Sequence, residues 1–548
     1  MTLYQRFAAE TFDGEGRLTD IELSYPDNFN FGYDVVDEYA KAEPDKRALV
    51  WCDTEGSERQ FSFAQISELS SRCANVLSEA GIGRGDKVLV ALKKHFEYWI
   101  AAVALHKLGA VLIPVTHMLT VKDYVYRIET ADIKAFIVTH QGDVCERVRE
   151  AVAQTGRSCR LWTVREQREG FLDLSEQIEA ASPVFERRET SVHDPMLLYF
   201  TSGTTGLPKG VIHDHSYPLA HIVTAKYWHH VKENGLHFTV AESGWAKSSW
   251  GKLYVQWLCG SAVMVFDFDN FDPKMMVHII NKYKVTTFCA PPTVYRYMVR
   301  SGIPELTSLT HATTAGELLN PEVFRLFREK TGLSLCEGYG QTETALLTAN
   351  FCAETSVPGS MGRPSPQYRI AIIKRDGTPA QTGEVGEVCV VPRREGERPV
   401  GVFVGYLGDE ERYKEVWEGG VYHTGDSASA DENGSLWFNG RFDDIIKTGG
   451  YRVGPYEIEN VLMEHPDILE CSVVGVPDQR RGQAIKAFIV LKKGIAPGRE
   501  LEREIKDFAN ARLSDYKWVR LIEFVDEMPK TISGKVRKTE QRKSWKED

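Results

Sequence analysis

The sequence predicts an α/β protein: a large N-terminal domain of mostly parallel sheets covered by helices, followed by a small α+β C-terminal domain. Three observations predict it. Short apolar runs, "GDKVLVAL", "AVLIPV" and "KAFIVT", are separated by the helix-like segments "KKHFEYWIAAVALHKLG" and "VKDYVYRIETAD", the alternation of a parallel sheet with crossover helices. The chain has 548 residues, too many for one ordinary domain. Near Asp443 the texture changes, with charge and glycine in "NGRFDDIIKTGGYRVGPYEIENVL".

Taken in order, the alternation recurs where "PKMMVHIINKYKV" precedes "TTFCAPP". The longest apolar run, "YWIAAVALHKLGAVLIPV", is broken by His106, Lys107 and Gly109, which suits a buried helix and strand better than a membrane span. Beyond the change of texture a helix is expected from about Pro455, then strands in "CSVVGVPD" and "IKAFIVLKK", then a basic tail. The expected domains are 1–442 and 443–548.

With 42% apolar and 26% charged residues the composition is that of a soluble protein, and a net charge of -11 argues against nucleic acid and anionic membranes as partners. The ten cysteines contain no CxxC pair, which reads as buried thiols in a reducing compartment, a disulfide framework or zinc site being the alternative. The N-terminus lacks an apolar signal core and is too acidic for a transit peptide. The chain reads as cytoplasmic.

One stretch carries little core and much chemistry. "YFTSGTTGLPKG", Tyr199 to Gly210, follows an apolar strand with glycines, hydroxyls and a lysine. Bare backbone N–H groups, Ser and Thr donors and a cation suit a polyphosphate; a flexible surface loop is the other reading. A Walker A loop is excluded, because Lys209 stands between Pro208 and Gly210 rather than before Ser or Thr.

The full string resembles the phosphate loop of the adenylate-forming superfamily, which comprises acyl-CoA synthetases, luciferases and peptide-synthetase adenylation domains. The resemblance continues, in the family's order, through "TTAGELL", "EGYGQTET", "YHTGD", "GRFDDIIKTGGYRVGPYEIE" and "PKTISGK". It is closest to the medium-chain acyl-CoA synthetases. What it implies is an ATP-dependent acid:CoA ligase: a carboxylate attacks the α-phosphorus of ATP, pyrophosphate leaves, and the acyl-adenylate is passed to a thiol. Both reactants of the first step are anionic, so cations and oriented donors must bring them together.

The resemblance assigns roles residue by residue. Thr201, Ser202, Gly203, Thr204, Thr205, Gly206 and Lys209 would hold the leaving phosphates. Glu343 would bind Mg²⁺, a hard ion suited to carboxylate and phosphate oxygens, and Thr342 would donate to the α-phosphate. Gly316, Glu317 and Leu318 would line one face of adenine and Tyr339 the other, within the segment Glu337, Gly338, Tyr339, Gly340 and Gln341. Asp426 would accept the ribose hydroxyls, with Arg441 beside it. Lys535 would be the catalytic lysine of adenylation, carried by a C-terminal domain that rotates about a hinge at Asp443. In the second pose Gly449, Gly450 and Tyr451 would line coenzyme A, Arg452 would lie near the phosphate, and Arg481 and Arg520 would meet the nucleotide end of CoA.

For the acid, Trp245 and Gly316 are expected in the acyl pocket. Gly340 stands where acetate-specific relatives carry tryptophan and is expected to open room for a longer, branched or aromatic acid, each buried methylene contributing about 0.8 kcal/mol. Trp250 and Trp257 read as core. Amino-acid-activating relatives place an aspartate near Ala246 and Lys247, so an α-amino acid would lack its partner. Free CoA is the expected acceptor, since no carrier module follows Lys535. The alternatives are a stand-alone adenylation enzyme that loads a carrier protein and a non-catalytic nucleotide-binding scaffold; the latter would be expected to lack Lys535 or Glu343.

Overall fold

The computed structural model describes residues 2–201, 208–303, 305–317, 319–352, 354–530 and 536–543. Two large sheets build the N-terminal part. The first has eight strands, in which Val111–Pro114, Lys87–Ala91, Ile133–Thr139 and Arg160–Val164 run parallel and the hairpin Pro195–Thr201/Lys209–Asp214 extends one edge. The second has nine strands, with a parallel centre formed by Arg47–Asp53, Ala262–Asp267, Leu236–Thr239, Thr287–Ala290, His311–Ala315 and Leu335–Gly340.

The run broken by polar residues becomes the helix Glu97–Leu108, every residue of which is buried. Its core contains side chains of both sheets, among them Val90, Trp51 and Trp99. A helix with no wet face must satisfy its own polar residues. Lys107 does so through Asp37 at 2.8 Å, Ser71 Oγ at 2.9 Å and the Ser67 carbonyl at 3.2 Å. Glu97 pairs with Arg165 at 2.7 Å. Gly109 ends the helix at φ 70, where a Cβ would also lie 2.9 Å from Thr190.

A four-stranded antiparallel sheet, Arg369–Ile373, Val385–Val391, Tyr422–Ala430 and Leu436–Arg441, adjoins the large sheets. A single 3₁₀ turn at Phe442–Asp444 follows it, and the chain then enters a further sheet built on the long hairpin Ile468–Asp478/Gly482–Leu491. The helix Pro455–Met463 packs on that hairpin and turns Tyr456 against Phe438 of the preceding part, ring centroids 4.8 Å apart. Arg542 pairs with Asp444 across the same turn. All ten cysteines are free. Among the described residues no helix is long and apolar enough to cross a membrane.

Removing Asp37 leaves a buried ammonium uncompensated. Asp37→Ala is expected to lower the unfolding free energy by about 3 kcal/mol, read by chemical denaturation, whereas Asp37→Asn, which retains a hydrogen-bonding oxygen, loses less.

Candidate active site

The two ends of the phosphate-loop stretch lie on paired antiparallel strands. Thr201 pairs with Lys209; Ser202, Gly203, Thr204, Thr205 and Gly206, like Leu318 and Lys535, lie outside the described residues. Lys209 stands over the ring of Tyr406, its Nζ 5.6 Å from the centroid. Desolvation pulls its pKa down, Arg412 and Arg441 push it the same way, and Glu343 and Asp409 oppose them. Tyr406 donates to Glu343 Oε1 at 3.1 Å. Two arginines and two carboxylates thus act on Lys209, and desolvation is the largest influence.

His213, on the Lys209 strand, reaches the "QTET" turn. Burial holds its pKa down at about 4, so the ring is neutral, and its Nε2 lies 2.7 Å from the Thr342 carbonyl, which can only accept. This bond ties the hairpin of the first sheet to the turn after strand Leu335–Gly340 of the second.

On the second sheet Ala315 pairs with Gly338 in parallel register, bringing Gly316 beside Tyr339. Gly316 has φ 97, and no heavy atom lies within 4 Å of the Cβ it lacks; backbone is presented there to open space. Glu317 accepts from the Thr293 hydroxyl at 2.7 Å. Tyr339 donates to Asp426 Oδ2 at 2.6 Å, as does Gln341 Nε2 at 2.6 Å, and Arg441 lies 3.5 Å from Oδ1. Gln341 is itself fixed, donating to the Thr424 carbonyl at 2.7 Å and accepting from the Tyr422 hydroxyl at 2.9 Å. Asp426 and Arg441 are cross-strand partners in the antiparallel sheet.

The "YHTGD" segment is held from behind. Glu387 Oε1 accepts the Gly425 N–H at 2.8 Å, and its Oε2 lies 2.9 Å from His423 Nδ1, with Cys389 Sγ 3.6 Å from the same nitrogen. Among the described residues these three have metal-ligand spacing. Of the three, Glu387 holds the backbone next to Asp426, and His423 Nε2 reaches the Glu418 carbonyl at 3.1 Å.

In the C-terminal part Gly449 and Gly450 form an exposed turn at φ 57 and 84, with nothing within 4 Å of either missing Cβ. Tyr451 is 55% exposed and stacks on Tyr516 at 4.5 Å. Arg452 is exposed, the Arg481 guanidinium lies 3.9 Å from Asp478, whose Oδ1 accepts the Arg481 N–H, and Arg520 folds over Trp518 at 5.2 Å. Lys530 and Val536, which flank Lys535 in sequence, are joined by a β-bridge.

Residues 36–407 match the model of the AMP-binding enzyme family, and residues 457–535 match that of the AMP-binding enzyme C-terminal domain. The chain belongs to the AMP-binding enzyme family. This AMP-binding enzyme is 37% identical over 550 residues to acyl-coenzyme A synthetase ACSM3, mitochondrial, of Rattus norvegicus, covering 97% of this chain and 93% of that one. It is 38% identical to 4-hydroxybutyrate–CoA ligase 1 of Metallosphaera sedula, covering 95% and 91%. Its fold matches the crystal structure of the anthranilate CoA ligase AuaEII in complex with anthranoyl-AMP with a TM-score of 0.85 and 26% identity, over 95% of this chain and 98% of that one.

In the AMP-binding enzyme Tyr339, Gln341 and Arg441 meet at Asp426, and Lys209 and Glu343 both meet Tyr406. Three residues of the same segment are packed into the protein. Glu337 is buried and accepts the Gly359 N–H at 2.9 Å and the Leu319 N–H at 3.4 Å. Gly338 is no open approach, because a Cβ there would lie 2.5 Å from Trp228. Gly340 opens no room: a Cβ would lie 2.4 Å from Trp250 and 2.5 Å from the Ala345 carbonyl. The missing side chain is replaced by an indole from elsewhere in the sequence, buried and donating to Tyr217 at 3.0 Å. Trp245 is half-buried at the start of helix Ala246–Lys252. Sequence reasoning missed the supports His213, Glu387 and His423, which betray themselves only by position inside or opposite recognised segments.

Burial raises the Glu337 pKa to about 8, against an ordinary 4.5. The folded protein thus keeps a proton that the unfolded chain releases. Its contribution is complete below the ordinary carboxylate range, is lost as pH rises through about 8, and is level above. Glu337→Gln should flatten this decline, so that denaturation at pH 5, 7 and 9 finds the variant gaining on the parent toward high pH.

Proposed function

We propose that this AMP-binding enzyme is an acyl-CoA synthetase, an ATP-dependent acid:CoA ligase that forms an acyl-adenylate and then a thioester, with AMP and pyrophosphate as products. The observation that carries the reading is the cleft itself: a carboxylate, Asp426, held by Tyr339, Gln341 and Arg441, beside Lys209 and the arginines that act on it. One end suits a ribose, the other a chain of phosphates.

The open backbone at Gly316 and the ring of Tyr339 flank the adenine, Asp426 accepts from the ribose and Thr342 donates to the α-phosphate. Glu343, braced by the Tyr406 hydroxyl, is the residue to hold Mg²⁺, which when bound offsets phosphate charge. Lys209 draws the departing pyrophosphate, and Lys535, brought by the domain 443–548, faces the acid and α-phosphate. The same domain then turns about Asp443 and offers the bare strip Gly449–Gly450 to the pantetheine of CoA. Arg452, Arg481 and Arg520 meet its phosphates. The free cysteines fit a reducing compartment such as the cytoplasm.

The acid is short, hydroxylated or aromatic rather than a long alkanoate. Trp250 and Trp228 press on Gly340 and Gly338, and the names of the relatives include a 4-hydroxy acid and an aromatic acid. Isotope exchange between pyrophosphate and ATP across a panel of acids tests the reading; an active acid must also drive CoA-dependent AMP release. Lys535→Ala is expected to reduce exchange at least a hundredfold while leaving thioester formation from supplied acyl-adenylate, and equal loss of both would overturn its role. Trp250→Leu is expected to shift the chain-length optimum of kcat/KM toward longer acids and to lower stability by about 2 to 3 kcal/mol. An unchanged optimum would remove Trp250 from the pocket wall.

A further inference from the structure

Buried cations in this chain come with carboxylates. Lys107 has Asp37, Lys46 has Glu43 and Glu233, Lys94 has Glu242 and Lys486 has Glu523. Lys247 differs. Its Nζ donates to the Ala315 carbonyl at 2.7 Å, and among the described residues no carboxylate oxygen pairs with it. Desolvation pulls its pKa down, against an opposing pull from Cys289 and Glu317. Lys252 on the same helix also lacks an ion-pair partner, but it is sealed at 2% exposure with the Glu242 charge near. Lys247 is less completely covered as a residue than Lys252, although its ammonium is desolvated.

Its place is informative. Ala315 immediately precedes Gly316, and Ala315, Trp250 and Trp228 share one apolar cluster against which Ala246 and Tyr339 pack. Thr313 lies two residues before Ala315 on the same strand face. Its hydroxyl partners His229 Nδ1 at 2.9 Å, while His229 Nε2, buried, has no partner and the ring feels the charge of Lys247. A lysine carries three donors; one is used. An ammonium left with free N–H groups in apolar surroundings costs several kcal/mol unless an acceptor completes it.

We propose that Lys247 is a specificity-determining residue: its ammonium binds an acceptor oxygen carried on the acid's chain, away from the reacting carboxylate, so that oxygenated short-chain acids are preferred over the plain alkanoate. The proposal rests on the acid:CoA ligase reading above. A hydroxyl and a second carboxylate share the required chemistry. With an alkanoate the N–H groups stay unmatched, and sites of this kind discriminate far more strongly than a methylene-sized fit does.

The test is kcat/KM for butyrate, 3-hydroxybutyrate, 4-hydroxybutyrate and succinate with the full chain, in the parent, Lys247→Met and Lys247→Gln, with melting temperatures to confirm folding. The parent is expected to favour at least one oxygenated acid over butyrate by tenfold or more, the hydroxy acids and succinate telling which oxygen is read. Lys247→Met should bring that ratio to within about twofold of one, and Lys247→Gln, which keeps a donor, should restore part of it. Acid-induced thermal shifts should follow the same order. A parent that favours butyrate, or a Met variant that loses all acids in equal proportion, overturns the proposal. If no acid drives pyrophosphate exchange the ligase reading fails instead; exchange without oxygen discrimination fails this proposal alone.

Discussion

The site depends on burying one carboxylate among donors that belong to different sheets. Asp426 is 5% exposed, and a carboxylate so placed is tolerable only while charged or hydrogen-bonding partners surround it. Tyr339 and Gln341 come from the second large sheet and its turn, and Arg441 from the strand beside Asp426. The antiparallel sheet is thereby held against the parallel one at the point where the nucleotide would bind. His213 extends the same tie to the first sheet through the Thr342 carbonyl. Three sheets meet on polar contacts in a molecule whose bulk is packed by apolar ones.

Arg412 and Arg441 act on Lys209 in one sense, and Glu343 and Asp409 in the other. Preorganised cations and donors cost stability in the empty protein and return it when phosphate arrives. The bare backbone at Gly316 and at Gly449–Gly450 complements them, since flat ligand groups need approach as much as attraction.

Much of this was legible in the sequence. The βαβ alternation gave the parallel strands and the buried helix Glu97–Leu108, because apolar runs of strand and helix length differ in kind. The antiparallel sheet was not foreseen; its strands, "YHTGDSASA" for one, are short on apolar side chains and read as motif rather than as structure. The recognised segments could name residues but could not aim them. Glu337 sits in "EGYGQTET" yet points into the protein, and Gly340 looked like a gap because Trp250, far away in the chain, is invisible from it. Lys247 reads as one lysine among many until its surroundings are counted.

The helix Glu97–Leu108 has a consequence for how this chain can be cut and recombined. With every residue covered by neighbours from both large sheets, neither sheet has a finished surface without the other, and no fragment ending between them would be soluble on its own. The short turn Phe442–Asp444 is the opposite kind of seam: crossed by few elements, it is where a C-terminal part from a relative could be grafted with the least apolar surface laid bare. Evolution and engineering alike would find exchange cheap at that seam and prohibitive within the two-sheet body.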